Sequence, residues 1–93
     1  MDILDLRKIG FTEGEVKVYD ALLGLGETKR AQLVKKSGVS PSKIYDIINR
    51  LAEKGLVSSV KKHGTLHFSA ATPKRLKDFL DQKENELEKE RQL

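Results

Sequence analysis

No cysteine or tryptophan occurs among the 93 residues, and there are only two prolines and five aromatic residues. Without cysteine, disulfide scaffolds and cysteine-based zinc sites are excluded. No apolar run approaches the roughly 18 residues that a membrane span requires. The opening Met1-Asp2-Ile3-Leu4-Asp5 carries acids where a signal peptide carries bases. These absences point to a cytoplasmic protein with no membrane partner. A glycine-rich phosphate loop is also missing. The two histidines, His63 and His67, sit in or beside the hairpin without a plausible serine, cysteine or carboxylate partner close in sequence. His63-x-x-x-His67 offers at most two metal ligands, short of the three or four a zinc site needs. A turn histidine is the better reading. No enzyme, cofactor or metal is therefore expected.

What is present is charge, unevenly placed. Charged residues are 34% of the chain and the net charge is +4. Residues 28–75 hold eleven bases against two acids, Asp46 and Glu53, a net +9. The flanks, 1–27 and 76–93, carry −3 and −2. A basic middle between acidic ends is the asymmetry of a nucleic-acid-binding surface. A solvated basic face is the plainer alternative.

Local patterning resolves five elements after a weaker N-terminal one. Ile3, Leu6 and Ile9 suggest a short N-terminal turn of helix ending at Gly10. Thr12-Glu13-Gly14-Glu15 is a capping box. It opens a helix with Val16, Tyr19, Leu22 and Leu23 on its apolar face, stopped by Gly24 and Gly26. Thr28 is placed as N-cap of a second helix with Ala31, Leu33 and Val34 inward, closed by Ser37-Gly38. Val39 plugs the core from the turn. Ser40 caps a third helix (40–54), with Pro41 in the first position, where its missing N–H costs nothing. Ile44, Ile47, Ile48 and Leu51 fall on one side of its wheel. Ser42, Asp46, Asn49 and Glu53 fall on the other, with Tyr45 at one edge and Lys43 and Arg50 at the opposite edge. Gly55 ends it. Residues 56–70 read as a β-hairpin with Gly64 in its turn and lysines near its tip. Its alternation is too imperfect to set a register. Thr72-Pro73 caps a last helix over 74–93. The fold class is mainly α with a small β-hairpin: a winged helix-turn-helix followed by a long C-terminal helix.

This layout carries a function. The third helix is about as wide as the major groove of B-DNA, so its polar face reaches base edges. Ser42, Lys43, Tyr45, Asn49 and Arg50 are the groove-facing candidates, with Ser40 at the helix start; a solvated helix surface is the plainer alternative for each. Arg50 is assigned more to phosphate than to base. Asp46 repels phosphate, and either selects cytosine or orients Lys43 or Arg50. Lys29 and Arg30 open the second helix toward the backbone. Lys61, Lys62 and His63 are the wing contacts, to backbone or minor groove.

Phe11-Thr12-Glu13, Val16-Lys17-Val18-Tyr19 and Ala21-Leu22-Leu23 resemble the opening of the TrmB-like winged-helix regulators, found mainly in archaea. The resemblance continues through Ser37-Gly38-Val39, Ser42-Lys43-Ile44-Tyr45 and Leu51-Ala52-Glu53-Lys54-Gly55-Leu56-Val57, and covers residues 3–75. The Thr-Glu opening and the Ser-Lys-Ile-Tyr stretch carry it, because the apolar and glycine positions recur in many winged helices. It implies a dimeric double-stranded-DNA-binding domain whose third helix enters the major groove. It also implies that Ser42, Lys43 and Tyr45 lie where the family's groove-facing residues lie. Larger members bear a C-terminal sugar-binding domain that controls DNA affinity. The chain ends at Leu93, either as a short member without an effector domain or as a fragment, so sugar sensing is not carried over.

The expected division is a DNA-binding domain over 1–71 and a dimerisation helix over 72–93. A lone helix with a thin apolar stripe has little to bury against in so small a domain. Leu76, Phe79, Leu80, Lys83 and Leu87 are therefore the expected homodimer interface. The alternative packs this helix back on its own domain, against Ile3, Leu6 and Ile9. Two rival functions remain. A winged helix can dock proteins, which Asp46 and Glu53 on the polar face favour. Double-stranded RNA would need the wing, since the A-form major groove is too narrow for the third helix.

Overall fold

The computed structural model describes residues 10–91, so the expected N-terminal turn with Ile3, Leu6 and Ile9 lies outside the described residues. Four helices and one antiparallel hairpin follow in the order α1 (Glu13–Leu25), α2 (Arg30–Ser37), α3 (Pro41–Glu53), β1 (Val57–Lys62), β2 (Thr65–Ala70) and α4 (Pro73–Arg91). Helices α1, α2 and α3 pack on one another, and the hairpin closes the open side of the group.

Helix α1 begins with the expected capping box. The Glu15 amide donates to the Thr12 hydroxyl at 3.1 Å, and the Thr12 amide donates back to the Glu15 carboxylate at 3.4 Å. Two details differ from expectation. Gly24 lies inside the helix, which runs on to Leu25 and stops at Gly26, with φ of 72°. Leu23 is 51% exposed, and Val18 and Ala21 are buried beside Val16, Tyr19 and Leu22. The apolar face is thus turned by one residue, because α3 and the hairpin cover α1 from two sides.

Thr28 does not cap α2. Its amide and carbonyl are both used in a bridge to Phe68 of β2, at 2.9 and 2.7 Å, which holds Thr28 extended and buried. Lys29 is the cap residue instead. Gln32 secures this start, its side-chain oxygen accepting from the Thr28 hydroxyl at 2.8 Å and from the Lys29 amide at 3.3 Å. Ala31 faces solvent, so α2 rests on Leu33, with Val34 half-buried. Gly38, left-handed at φ of 76°, ends the helix, and Val39 enters the core as expected.

Helix α3 matches its sequence pattern. Pro41 is in the first turn, and Ile44, Ile47, Ile48 and Leu51 are all buried. Each such burial contributes about 1.5–3 kcal/mol. The hairpin pairs Val57 with Ala70 through Lys62 with Thr65. His63 and Gly64 form its two-residue turn, with φ of 51° and 79°. Two successive positive φ angles match the twist of the flanking strands. Val57 and Phe68 face the core.

The core runs from Phe11 to Leu76 and includes Tyr19, whose side chain is wholly enclosed. The Tyr19 hydroxyl finds no hydrogen-bond partner among the described residues, and burial pushes its ionisation upward. Tyr19→Phe is therefore expected to raise stability by about 1 kcal/mol in urea unfolding. An equal loss would show that the hydroxyl is bonded in solution.

Helix α4 touches this core only with its first turns. Leu76 is buried, Phe79 meets Phe11 edge to face at 5.7 Å, and Leu80 is half-covered. Farther along, Lys83 is partly covered, and Leu87 is exposed. No described helix is long and apolar enough to cross a membrane.

Candidate nucleic-acid interface

Burial of the isoleucine side of α3 decides what its other side does. Ser42, Lys43, Tyr45, Asp46, Asn49 and Arg50 are all exposed. Ser40 is exposed at the cap, where its hydroxyl lies 3.1 Å from that of Ser42. These two short polar groups sit at the start of the helix, where Pro41 brings no amide and the Lys43 and Ile44 amides donate to the Ser40 carbonyl at 3.0 and 3.1 Å.

Asp46 is not a free acid. Its carboxylate accepts from Arg50 one turn later, at 2.6 Å. Of the two roles expected for it, orientation of a neighbour is the one the geometry displays. The pairing also removes most of the local repulsion that Asp46 would offer an anion.

Tyr45 has a partner that sequence spacing did not reveal. The Arg30 guanidinium, from the start of α2, lies over the Tyr45 ring at 5.2 Å. Both groups are exposed, and such a stack is worth about 0.5–1 kcal/mol. The pair walls a shallow cleft of about 440 Å³ between α2, α3 and the hairpin. Lys29 and Lys61 also line it, with Leu66 and Phe68 behind them. Three cations from two separate elements thus line one cleft beside Tyr45. A second, smaller cleft runs along the other flank of Tyr45, past Asn49, Ser59 and Leu66.

The far side of the hairpin behaves differently. Lys62 turns back to Glu27, in the α1–α2 connection, at 2.7 Å. That hydrogen bond holds the Glu27 carboxyl below the usual glutamate range. His67 Nδ1 lies 3.9 Å from the same carboxylate. Lys62 is therefore engaged, whereas Lys61 faces the cleft. His63 is exposed at the tip. Among the described residues no group of three or more histidines and carboxylates is gathered as a metal site.

A partly buried ion pair supports α3 from behind. Lys54, which follows the helix, donates to Glu15 Oε2 at 2.7 Å, and its ammonium lies 5.4 Å from the Phe11 ring. Burial alone would raise the Glu15 carboxyl, but Lys54 and Thr12 outweigh it and hold the group below its ordinary value. Sequence reasoning found Glu15 as a cap and missed this second role. The partners are 39 residues apart, so no local spacing could show it.

Comparison with known proteins bears on the family and the fold. The family model "Sugar-specific transcriptional regulator TrmB" matches residues 6–75. The HTH-type sugar sensing transcriptional regulator TrmBL1 of Pyrococcus furiosus is 43% identical over 60 residues. That match covers 64% of this chain but only 17% of the relative. Among solved structures, TrmBL2, an archaeal chromatin protein, superposes with a TM-score of 0.72 at 23% identity, covering 88% of this chain and 31% of that one. The ST1889 protein of the thermoacidophilic archaeon Sulfolobus tokodaii gives 0.77 at 16% identity, covering 95% and 96%. At such identities the structural likeness is one of fold.

Proposed function

The chain belongs to the TrmB family of transcriptional regulators, and from that premise we propose that it binds specific double-stranded DNA as a homodimer. The carrying observation is the exposed polar face of α3 beside a cleft that gathers Lys29, Arg30 and Lys61. In this reading α3 enters the major groove. Ser40, Ser42 and Lys43 lead, with Tyr45 and Asn49 over base edges. Arg50 stays beside Asp46 and takes phosphate. Lys29, Arg30 and Lys61 hold the flanking strand, and His63 leads the wing toward backbone or minor groove. Lys62 joins them only by leaving Glu27. Phosphate contacts position the protein, and the α3 face carries the sequence information.

Helix α4 is proposed to pair with its own copy through the uncovered parts of Phe79 and Leu80 together with Lys83 and Leu87. Leu76 is withdrawn from the expected interface, because it is already buried against its own domain. Two-fold symmetry would place the recognition helices about 34 Å apart, one turn of DNA, on a pseudo-palindromic site.

Protein docking is the rival reading. Asp46 was half of its support, and Asp46 is tied to Arg50. Anisotropy of labelled random duplex across a salt series tests the proposal. Affinity falling steeply with salt, with a dimer in sedimentation, is the expected result, and a specific site can then be selected from a library. No binding at low salt would reject DNA in favour of a protein partner.

A further inference from the structure

One side chain ties the first turn of α4 to the end of α3. Arg75 Nε donates to the Gly55 carbonyl at 2.8 Å. Its guanidinium lies so close over Gly55 that a Cβ there would stand 2.6 Å from Nη2. Gly55 also has φ of 77°, a turn conformation that favours glycine. Leu76, Phe79 and Leu80 give α4 its apolar hold on the core. Arg75 is its polar tie to the α3–β1 turn. An open cleft of about 480 Å³ lies at this junction, lined by Ala52, Val57, Ser58, Ala71 and Arg75 among others. Space is therefore available for α4 to tilt once the tie is lost.

We infer that Arg75 is a positioning residue for DNA recognition. It sets the angle between α4 and α3, and so the separation of half-sites that the dimer accepts. This rests on the homodimer proposed above.

Leverage makes a single tie matter. The 19 residues of α4 span about 28 Å, so a tilt of about 10° at the root moves the far end by about 5 Å. That exceeds the 3.4 Å rise of about one base pair. Two-fold symmetry applies the same tilt in both protomers.

Arg75→Met keeps the aliphatic stem and removes the donors. Lys74→Ala, an exposed neighbour, is the control. Each protein is titrated against duplexes carrying two selected half-sites at a series of spacer lengths. Sedimentation and binding to random duplex are run in parallel. Wild type and Lys74→Ala are expected to prefer one spacer. In Arg75→Met that preference flattens by about three- to tenfold, the worth of one hydrogen bond. It remains dimeric and binds random duplex within about twofold of wild type, since no phosphate contact is lost. A dimeric variant with the wild-type spacer profile would overturn the inference. Equal loss at every spacer would also overturn it, by making Arg75 a phosphate contact. A monomeric wild-type chain would instead sink the dimer reading, and this inference with it.

Discussion

Changing Lys29, Arg30 and Lys61 together to alanine is expected to weaken binding to random duplex about a hundredfold at 0.15 M salt. The reasoning is electrostatic. The three line one cleft from two directions, and all are exposed. Each phosphate contact releases about 0.9 counterion from B-DNA, so three contacts release about 2.7. The slope of log affinity against log salt should therefore flatten by about that amount. Stability should change little, because the fold loses only the Arg30–Tyr45 stack, worth at most about 1 kcal/mol. Anisotropy across a salt series, beside a melting curve, gives both numbers. An unchanged slope in a folded triple variant would place the DNA surface elsewhere.

The largest effect on stability is expected from Lys54→Met. Methionine keeps an aliphatic stem and removes the ammonium that faces both Glu15 and the Phe11 ring. Glu15, 2% exposed, then loses its cation and keeps only the Thr12 hydrogen bonds. Leaving the buried carboxylate without its partly exposed cation costs about 2 kcal/mol. For a domain of this size that lowers Tm by about 10 °C. The pH dependence carries the stronger signature. In wild type the folded Glu15 carboxyl lies below its ordinary value of 4.5. Its contribution is complete above that value and is lost as pH falls through the folded one. In the variant, burial no longer has Lys54 against it, so the folded carboxyl moves upward. Protonation then relieves the variant, and the gap to wild type should narrow as pH drops from 7 toward 4. A gap independent of pH would mean that Lys54 matters through packing alone.

Much of this was legible in the sequence because it is local. The Thr12–Glu15 box, Pro41 at the start of α3 and Gly38 at the end of α2 each act within one turn of chain. The α3 pattern is local as well: isoleucines and leucine at helical spacing, with polar residues opposite, state which side is buried. The Asp46–Arg50 pair was foreseeable for the same reason, being one turn apart. A second class of expectation failed where a distant segment claimed the residue. Thr28 has the chemistry of a cap, yet Phe68 takes its backbone into a bridge. Leu76 has the chemistry of an interface residue, yet its own core covers it.

The sequence by itself determined the element order, the buried side of α3, the basic middle of the chain and the family. The first three follow from periodicity, capping and charge, and the family from the resemblance of local motifs; none needs knowledge of what lies across the molecule. Only the tertiary structure decided which cations act together. Arg30 meets Tyr45 across 15 residues, Lys62 meets Glu27 across 35, and Lys54 meets Glu15 across 39. Along the chain Lys61 and Lys62 are adjacent and alike. On a strand they point to opposite faces, so one lines the cleft while its neighbour is bound to a carboxylate. That division depends on the hairpin register and on where the α1–α2 connection crosses it, and both are set by packing.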